Sequence, residues 1–173
     1  MKTVGRVKSE KIWDRFWNEM QDEFFKLEVL QYYDEDYSSS LQEWLKGNKK
    51  KSLDLALKEF PPWAEGKEFV KKIRVHIVKK PLTPYLRWEI ELYKINNIPL
   101  VGEEVFLLDA IHTKDLEIPK GDILIFDKKK VIANSYDNRG KLTSAKIYEG
   151  DKEIKPFLKL RGKILKLPLE KVK

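Results

Sequence analysis

Hydrophobic residues in the first third of the chain recur every three or four positions, which is the spacing of an amphipathic helix. The residues at this spacing are Trp13, Phe16, Met20, Phe24 and Leu27. With Ser9 available as an N-terminal cap, they predict a helix over residues 9–32. A capping box at residues 40–43 and the apolar spacing of residues 52–60 predict two shorter helices, the second ended by Pro61 and Pro62. Residues 1–62 are therefore predicted to form a helical layer.

From residue 69 the apolar spacing changes to two. Ile73, Val75 and Ile77 alternate with Arg74 and His76, which predicts a strand with one apolar face. The following Thr83-Pro84 pair marks a helix start, because a hydroxyl suits the N-cap and proline suits the first helical position. A crossover helix over residues 84–96 and an apolar strand over residues 105–108 complete a predicted βαβ unit.

Three further apolar segments, residues 123–126, 131–136 and 142–148, are separated by short polar turns and predict an antiparallel meander. Residues 152–173 mix apolar and basic positions and predict a basic C-terminal helix. The predicted fold class is α+β, with the whole chain, residues 1–173, as a single domain. Its N-terminal helical layer packs on a mixed sheet of about five strands, formed by residues 67–149, and the C-terminal helix follows.

The amino-acid composition excludes several classes of protein and of binding site. The 173 residues, 42% of them hydrophobic, suffice for one sizeable core. The absence of cysteine excludes disulfides and thiolate-bound metals, and with two histidines a transition-metal site would take most of its ligands from carboxylates, so no metal or cofactor is predicted. No segment predicts a membrane span or a secretory signal, and a cytoplasmic protein is expected. Heavy use of Lys and Glu is compatible with a thermophilic source.

The net charge of +7 is concentrated in two segments, residues 45–80 and 152–173, on either side of an acidic middle. If these segments converge, they form a basic face that attracts phosphate backbones or an acidic protein. The candidate nucleic-acid contacts are Lys49, Lys50, Lys51, Lys159, Arg161 and Lys163. The alternative is that the lysines only solvate helix surfaces.

Polar residues also gather around the βαβ unit. The members of this predicted anion-binding group are Arg74, His76, Tyr85, Arg87 and Glu89. The first two lie on the polar face of a strand and the others in the first turns of the next helix, whose N-terminus favours anions. In the alternative reading, Arg87 pairs with Glu91 or Glu103 and Tyr85 covers the core.

This group is part of a longer pattern that resembles a family of small uncharacterised proteins abundant in actinomycetes. The matching residues are Arg74, His76, Pro81, Tyr85, Arg87, Glu89, Asn96, Asn97, Gly102, Glu103, Asp122, Phe126 and Asp127. The phrase at residues 25–28 and the aromatic N-terminal helix are also similar. The resemblance implies a partner such as a helix-turn-helix regulator, whose genes often lie beside those of the family, and no established activity. The Lys-rich surface and basic tail depart from the pattern.

Residues 119–135 have a layout similar to a phospholipase D-like half-domain. Lys120 stands where such enzymes have the nucleophilic histidine and Asp122 where they have a lysine, and only Asp127 matches. The resemblance therefore implies a degenerate, non-catalytic version, as in some sugar-sensing regulators and dimerisation domains, because covalent phosphoryl transfer lacks its imidazole. Asp122, Asp127 and Asp137 are alternatively turn formers or a carboxylate site for Mg²⁺.

The sequence thus favours a non-enzymatic binding or regulatory module that acts with a protein partner. It leaves the oligomeric state open, with a dimer as one option, and predicts no membrane association. One alternative is a divergent phospholipase D-like or metal-dependent phosphodiesterase, with Asp127, His112 and Arg87 as catalytic candidates. Another is direct nucleic-acid binding through the two basic segments.

Overall fold

The structure, a computed structural model, describes residues 1–60 and 67–173. The strands are β1 (Lys2–Gly5), β2 (Glu23–Glu28), β3 (Lys71–Val78), β4 (Glu103–Asp109), β5 (Ile123–Phe126), β6 (Lys130–Tyr136), β7 (Leu142–Tyr148) and β8 (Glu170–Lys171). The helices are α1 (Arg6–Glu19), α2 (Ser39–Leu45), α3 (Lys49–Glu59), α4 (Pro84–Leu92) and α5 (Asp151–Ile164). A π-helical turn, Tyr93–Asn97, extends α4, and a 3-10 helix, Ala110–Thr113, follows β4.

All these strands belong to one mixed sheet with the order β1-β7-β6-β5-β2-β3-β4-β8. The central strands β2, β3 and β4 are parallel, and the remaining pairs are antiparallel. The fold is α+β, but the prediction of about five strands is wrong because the described sheet has eight. The βαβ unit and the antiparallel meander are confirmed, whereas β1, β2 and β8 were missed.

The largest error concerns the predicted helix over residues 9–32, because α1 ends at Glu19 and residues 23–28 form the central strand β2. Both faces of β2 are covered, with Phe24 in a cluster with α1 and Phe25 and Leu27 in a cluster with α5. A strand buried on both faces does not show clean alternation. In the sequence, Phe24 and Leu27 of β2 therefore extended the three- to four-residue spacing of α1, and the whole segment was predicted as one helix.

Helices cover both faces of the sheet. On one face α5 packs through Ile154 and Ile164 on Phe25, Val75 and their neighbours. On the other face α1 covers the region around β5–β7, and α2, α3 and α4 cover β3 and β4. Between these two groups of helices, over β2 and β3, the buried side chains are polar.

The crossover helix begins as its sequence predicts. The Thr83 hydroxyl accepts a hydrogen bond from the Leu86 N–H, and Pro84 is the first helical residue. Helix α3 begins at Lys49, three residues earlier than predicted, while the prolines at positions 61 and 62 lie outside the described residues. The predicted C-terminal helix is present as α5, but it ends at Ile164, and the following residues include the short strand β8. No helix in the described part of the chain has the length and apolar character needed to cross a bilayer.

Candidate functional site

A buried polar cluster lies on the face of β2 and β3 that α4 covers. The parallel register places Lys26 opposite Arg74 and Glu28 opposite His76. Side chains two residues apart on a strand share a face, so these four side chains lie together above the sheet. Arg74, His76 and Glu28 are buried.

Arg74 is the centre of an ion-pair network. Its Nη1 lies 2.7 Å from Glu28 Oε1, and its Nε and Nη2 lie 3.0 and 3.2 Å from Oε2 and Oε1 of Glu103. Lys26 Nζ also contacts Glu28 Oε1, at 2.5 Å. Burial would raise the pKa of Glu28, but the charges of Arg74 and Lys26 hold it well below its usual value. The Arg74 guanidinium is therefore already neutralised by two carboxylates.

His76 directs one ring nitrogen into this cluster. Its Nε2 lies 2.7 Å from the carbonyl oxygen of Leu30, which can only accept, so Nε2 carries the proton. Its Nδ1 lies 3.0 Å from Tyr93 Oη, 3.3 Å from Glu89 Oε2 and 3.7 Å from Glu28 Oε2. Burial lowers the pKa of His76 and favours the neutral ring, so Nδ1 presents a lone pair to these oxygens.

Glu89 reaches the same point from α4. Its Oε2 is buried and has no hydrogen-bond partner among the described residues. Burial and the negative charge of Glu28 raise the pKa of Glu89 to about 8. A cavity of about 170 Å³ adjoins the cluster. Its polar lining includes Lys26, Glu28, Glu35, Arg74 and Glu89.

The predicted anion-binding residues are only partly brought together. Arg74, His76 and Glu89 belong to the cluster, and the buried Tyr85 ring packs on Trp88. Arg87 lies exposed on the outer side of α4. The expected partners of Arg87 are engaged elsewhere, since Glu103 bonds Arg74 and Glu91 pairs with Lys94.

Sequence reasoning missed Glu28 and Tyr93, which complete the cluster. The Tyr93 hydroxyl donates to Glu28 Oε2 at 2.8 Å. The signal available was the alternation of Lys26 and Glu28 with Phe25 and Leu27, which is a strand pattern inside a segment predicted to be helical.

A second polar group surrounds Asp122, which directly precedes β5. Its Oδ1 accepts from the Val29 N–H at 3.1 Å and from the Tyr33 hydroxyl at 2.8 Å, and its Oδ2 accepts from the Tyr136 hydroxyl at 2.6 Å. Burial raises the pKa of Asp122, although the positive charge of Lys26 opposes the shift. These bonds join β5 to β6 and to the chain after β2.

The three catalytic candidates do not meet. His112 is exposed in the 3-10 helix that follows the C-terminal end of β4. Asp127 follows β5 and lies beside the N-terminal end of β2, at the opposite end of the strands. Its carboxylate accepts from the backbone N–H groups of residues 21, 22 and 23. Asp122 lies beside the other end of β2, so Asp122, Asp127 and Asp137 do not gather into one carboxylate site.

The two basic segments lie on opposite faces of the sheet, because α3 packs with α4 and α5 packs on the other side. On α3, Lys50 pairs with Asp54, Lys51 pairs with Glu43, and Lys49 lies over the Trp44 ring. Arg161 of α5 is also engaged, since its Nη2 lies 2.6 Å from Glu23 Oε1. The described residues of the two segments therefore do not form a single continuous basic face.

Helix α5 nevertheless carries a row of exposed lysines, which we term the lysine stripe. Its members are Lys152, Lys155, Lys159, Lys163 and, just beyond the helix, Lys166. Their spacing of three or four residues places them on one side of the helix. Within residues 1–60 and 67–173 none of them has a carboxylate within 4.0 Å.

Comparison with known proteins gives a family match for this chain and solved structures with a similar fold. Residues 11–169 match a family model described as a domain of unknown function, DUF6879. No curated protein matches the chain in sequence. A solved structure of TrmBL2, an archaeal chromatin protein described as showing a novel mode of DNA binding, is similar in fold, with a TM-score of 0.52 and 14% identity. The match covers 99% of this chain and 52% of TrmBL2, so the chain spans about half the length of that protein. NucT from Helicobacter pylori matches at a TM-score of 0.48 and 10% identity, over 95% of this chain and 94% of NucT.

Proposed function

The chain belongs to the DUF6879 family, and we propose that it is a non-catalytic module that binds nucleic acid through the lysine stripe of α5. The observation that carries this proposal is the row of exposed lysines without carboxylate partners in the described part of the chain. Lysines in such a row contact phosphates and release counterions, which supplies affinity without reading the sequence of the bases.

The dimensions of the stripe suit a phosphate backbone. From Lys152 to Lys163 it is about 17 Å long at the rise of an α-helix, about the length of five base pairs. Asp115 and Glu117 line a groove beside Lys159 and Lys163, and their charge reduces the positive potential at that end. Because lysines contact phosphates rather than bases, we expect binding that depends strongly on salt and only weakly on base sequence.

The fold is consistent with this role. TrmBL2, whose fold is similar, is a chromatin protein described by its DNA binding. At 14% identity over about half of that protein, the likeness concerns the fold alone. The proposal for this chain therefore rests on the stripe and on its own charges.

The positions of the catalytic candidates support a binding role rather than phosphodiester cleavage. His112 and Asp127 lie at opposite ends of the strands, and the Asp127 carboxylate is occupied by backbone N–H groups. Lys120 and Asp122 occupy the positions where a phospholipase D-like enzyme needs an imidazole and a lysine.

A pair of triple variants tests the proposal. K155Q/K159Q/K163Q removes three charges from the stripe, whereas K49Q/K50Q/K51Q removes three charges from the other face of the sheet. Binding to a fluorescent DNA duplex is measured by anisotropy between about 50 and 200 mM salt. We expect the stripe variant to lower the slope of log K against log salt by about two to three, at about 0.9 per lost phosphate contact. The matched variant should change the slope by less than one.

Equal slopes for the two variants, or no binding by the wild type at 50 mM salt, would overturn the proposal. In that outcome the prediction of a protein partner, such as a helix-turn-helix regulator, takes its place, because the same stripe suits an acidic surface. Copurification of the full chain with that regulator, lost in the stripe variant and kept in the matched variant, would support the partner.

A further inference from the structure

We propose that Glu28, His76 and Glu89 form a binding site for one divalent transition-metal ion. Each residue offers one ligand atom, a carboxylate oxygen from each glutamate and a ring nitrogen from the histidine, and these atoms all lie within 4.8 Å of one another. The three residues come from adjacent positions on β2 and β3 and from α4, so three separate elements hold the site.

The spacing of the ligand atoms suits a small ion. Zinc bonds of about 2.0–2.1 Å in a tetrahedral arrangement place ligand atoms about 3.3 Å apart. His76 Nδ1 lies 3.3 Å from Glu89 Oε2 and 3.7 Å from Glu28 Oε2. The carboxylate oxygens of Glu28 and Glu89 lie within 4.8 Å of each other, so a tetrahedral ion would draw the two carboxylates closer together.

The surrounding contacts orient two of the ligands. His76 donates its Nε2–H to the Leu30 carbonyl at 2.7 Å, which leaves the Nδ1 lone pair directed at the two glutamates. A metal-binding histidine commonly makes such a bond with its other ring nitrogen. Arg74 and Lys26 hold Oε1 of Glu28 and leave its Oε2 for the site, where the Tyr93 hydroxyl now donates.

An independent observation concerns Glu89. The residue is 8% exposed, and its Oε2 has no hydrogen-bond partner in the described part of the chain although it faces His76 Nδ1. A buried carboxyl oxygen without a hydrogen-bond partner carries a desolvation penalty, whether the group is protonated or ionised. A cation between Glu28, His76 and Glu89 would compensate for it.

The donor set indicates the class of metal. One imidazole with two carboxylates suits Zn²⁺, Co²⁺ or Mn²⁺ better than Mg²⁺ or Ca²⁺, which prefer oxygen alone. Three protein ligands leave at least one coordination position for water or an added ligand. The cavity of about 170 Å³ beside Glu28 and Glu89 provides room for such a molecule.

The test measures metal binding directly. Chelator-treated full-length protein is titrated with Co²⁺ and followed by the visible absorption of four-coordinate cobalt, and then with Zn²⁺ in competition. We expect one ion per chain. Glu89→Gln keeps the size of the side chain and should weaken the affinity by about a hundredfold or more, since even indirect partners of a metal cost about 10- to 100-fold.

Two matched variants serve as controls. Glu91→Gln alters a partly exposed glutamate, two residues further along the same helix, that pairs with Lys94, and should leave the affinity unchanged. His112→Ala removes the second histidine of the chain, which is exposed. Loss of the bound ion in H112A would place it at the surface and overturn the proposal. So would folded E89Q that binds Co²⁺ as tightly as the wild type, or wild type that binds no Co²⁺ at millimolar concentration.

A second measurement covers the case in which a variant is less stable. Zn²⁺ should raise the thermal midpoint of wild type and E91Q, because a ligand that binds only the folded state stabilises it. The midpoint of E89Q should not respond to Zn²⁺. An equal response of E89Q and wild type would contradict the site.

Discussion

The Asp127 carboxylate has a structural role, because its hydrogen bonds connect two segments of the backbone. It accepts hydrogen bonds from the N–H groups of Gln21, Asp22 and Glu23 at 2.9, 2.7 and 3.0 Å, and so ties the start of β2 to the turn after β5. Burial raises its pKa, but these backbone bonds outweigh burial and hold the pKa below its ordinary value. Its backbone φ of 50° is a conformation that Asp and Asn tolerate better than most residues.

We expect Asp127→Asn to lower the free energy of unfolding by about 2 kcal/mol at pH 7, because three N–H groups lose a charged acceptor. Asparagine keeps the size of the side chain and tolerates the backbone conformation. A carboxyl with a depressed folded-state pKa stabilises above its unfolded pKa of about 3.9, and this contribution is lost as the pH falls through the folded pKa. The difference between wild type and variant should therefore shrink below about pH 4.

Denaturant unfolding at pH 7 and at lower pH measures this difference. Asp115→Asn, at an exposed position, is the control and should change the free energy of unfolding by less than about 0.5 kcal/mol. A D127N penalty that is the same at pH 7 and at pH 3 would show that charge is not the cause.

At the scale of elements, α4 has a local signal that β2 lacks. Thr83 and Pro84 specify the start of α4 within two residues, and the sequence was sufficient to predict both the helix and the strand on either side of it. Strand β2 has no such boundary, since no Gly or Pro separates it from α1 and its pairing partners β3 and β5 are distant in the sequence. The alternation at residues 25–28 is only a short local signal, so the identity of β2 depends mainly on its tertiary contacts.

The same contrast explains how much of the site was predictable. Arg74, His76 and Glu89 lie on elements with clear periodicity, so their proximity followed from the βαβ unit. Glu28 lies on β2, which was predicted as helix, and without it the group appeared cationic. The structure adds two glutamates to Arg74, and for this reason we propose a cation rather than an anion as the ligand of the cluster.

The cap of α4 can be tested separately from its packing. We expect Thr83→Ala to lower the free energy of unfolding by about 1 kcal/mol, because the Leu86 N–H loses the hydroxyl that accepts its hydrogen bond. Thr83→Ser keeps the hydroxyl and should retain most of that stability. Chemical denaturation of both variants gives the comparison, and an equal loss in T83S and T83A would assign the effect to the threonine methyl group rather than the cap.

For the whole molecule, the sheet separates two surfaces of different character. The polar cluster lies on one face of β2 and β3, while Phe25, Leu27 and Val75 face α5 on the other. The salt bridge between Arg161 and Glu23 joins α5 to β2 on that second face. The proposed metal site and the lysine stripe are therefore separated by the backbone of the sheet and share no side chain.

This separation predicts that the two sites act independently. Energetic effects of distant sites without shared partners add within about 0.5 kcal/mol, which is about twofold in affinity. E89Q should therefore bind the DNA duplex within about twofold of wild type, and K155Q/K159Q/K163Q should bind Co²⁺ within the same factor.

Anisotropy and cobalt absorption on the same two variants measure both affinities. Thermodynamic linkage requires that any effect of Co²⁺ on DNA affinity equal the effect of DNA on Co²⁺ affinity. A tenfold or larger change in each affinity, equal for the two ligands, would mean that binding on one face of the sheet alters the site on the other face through β2 and β3. The two strands would then have to adopt two arrangements. We expect no such change because the sheet is rigid: β2 and β3 pair with each other and are flanked in register by β5 and β4.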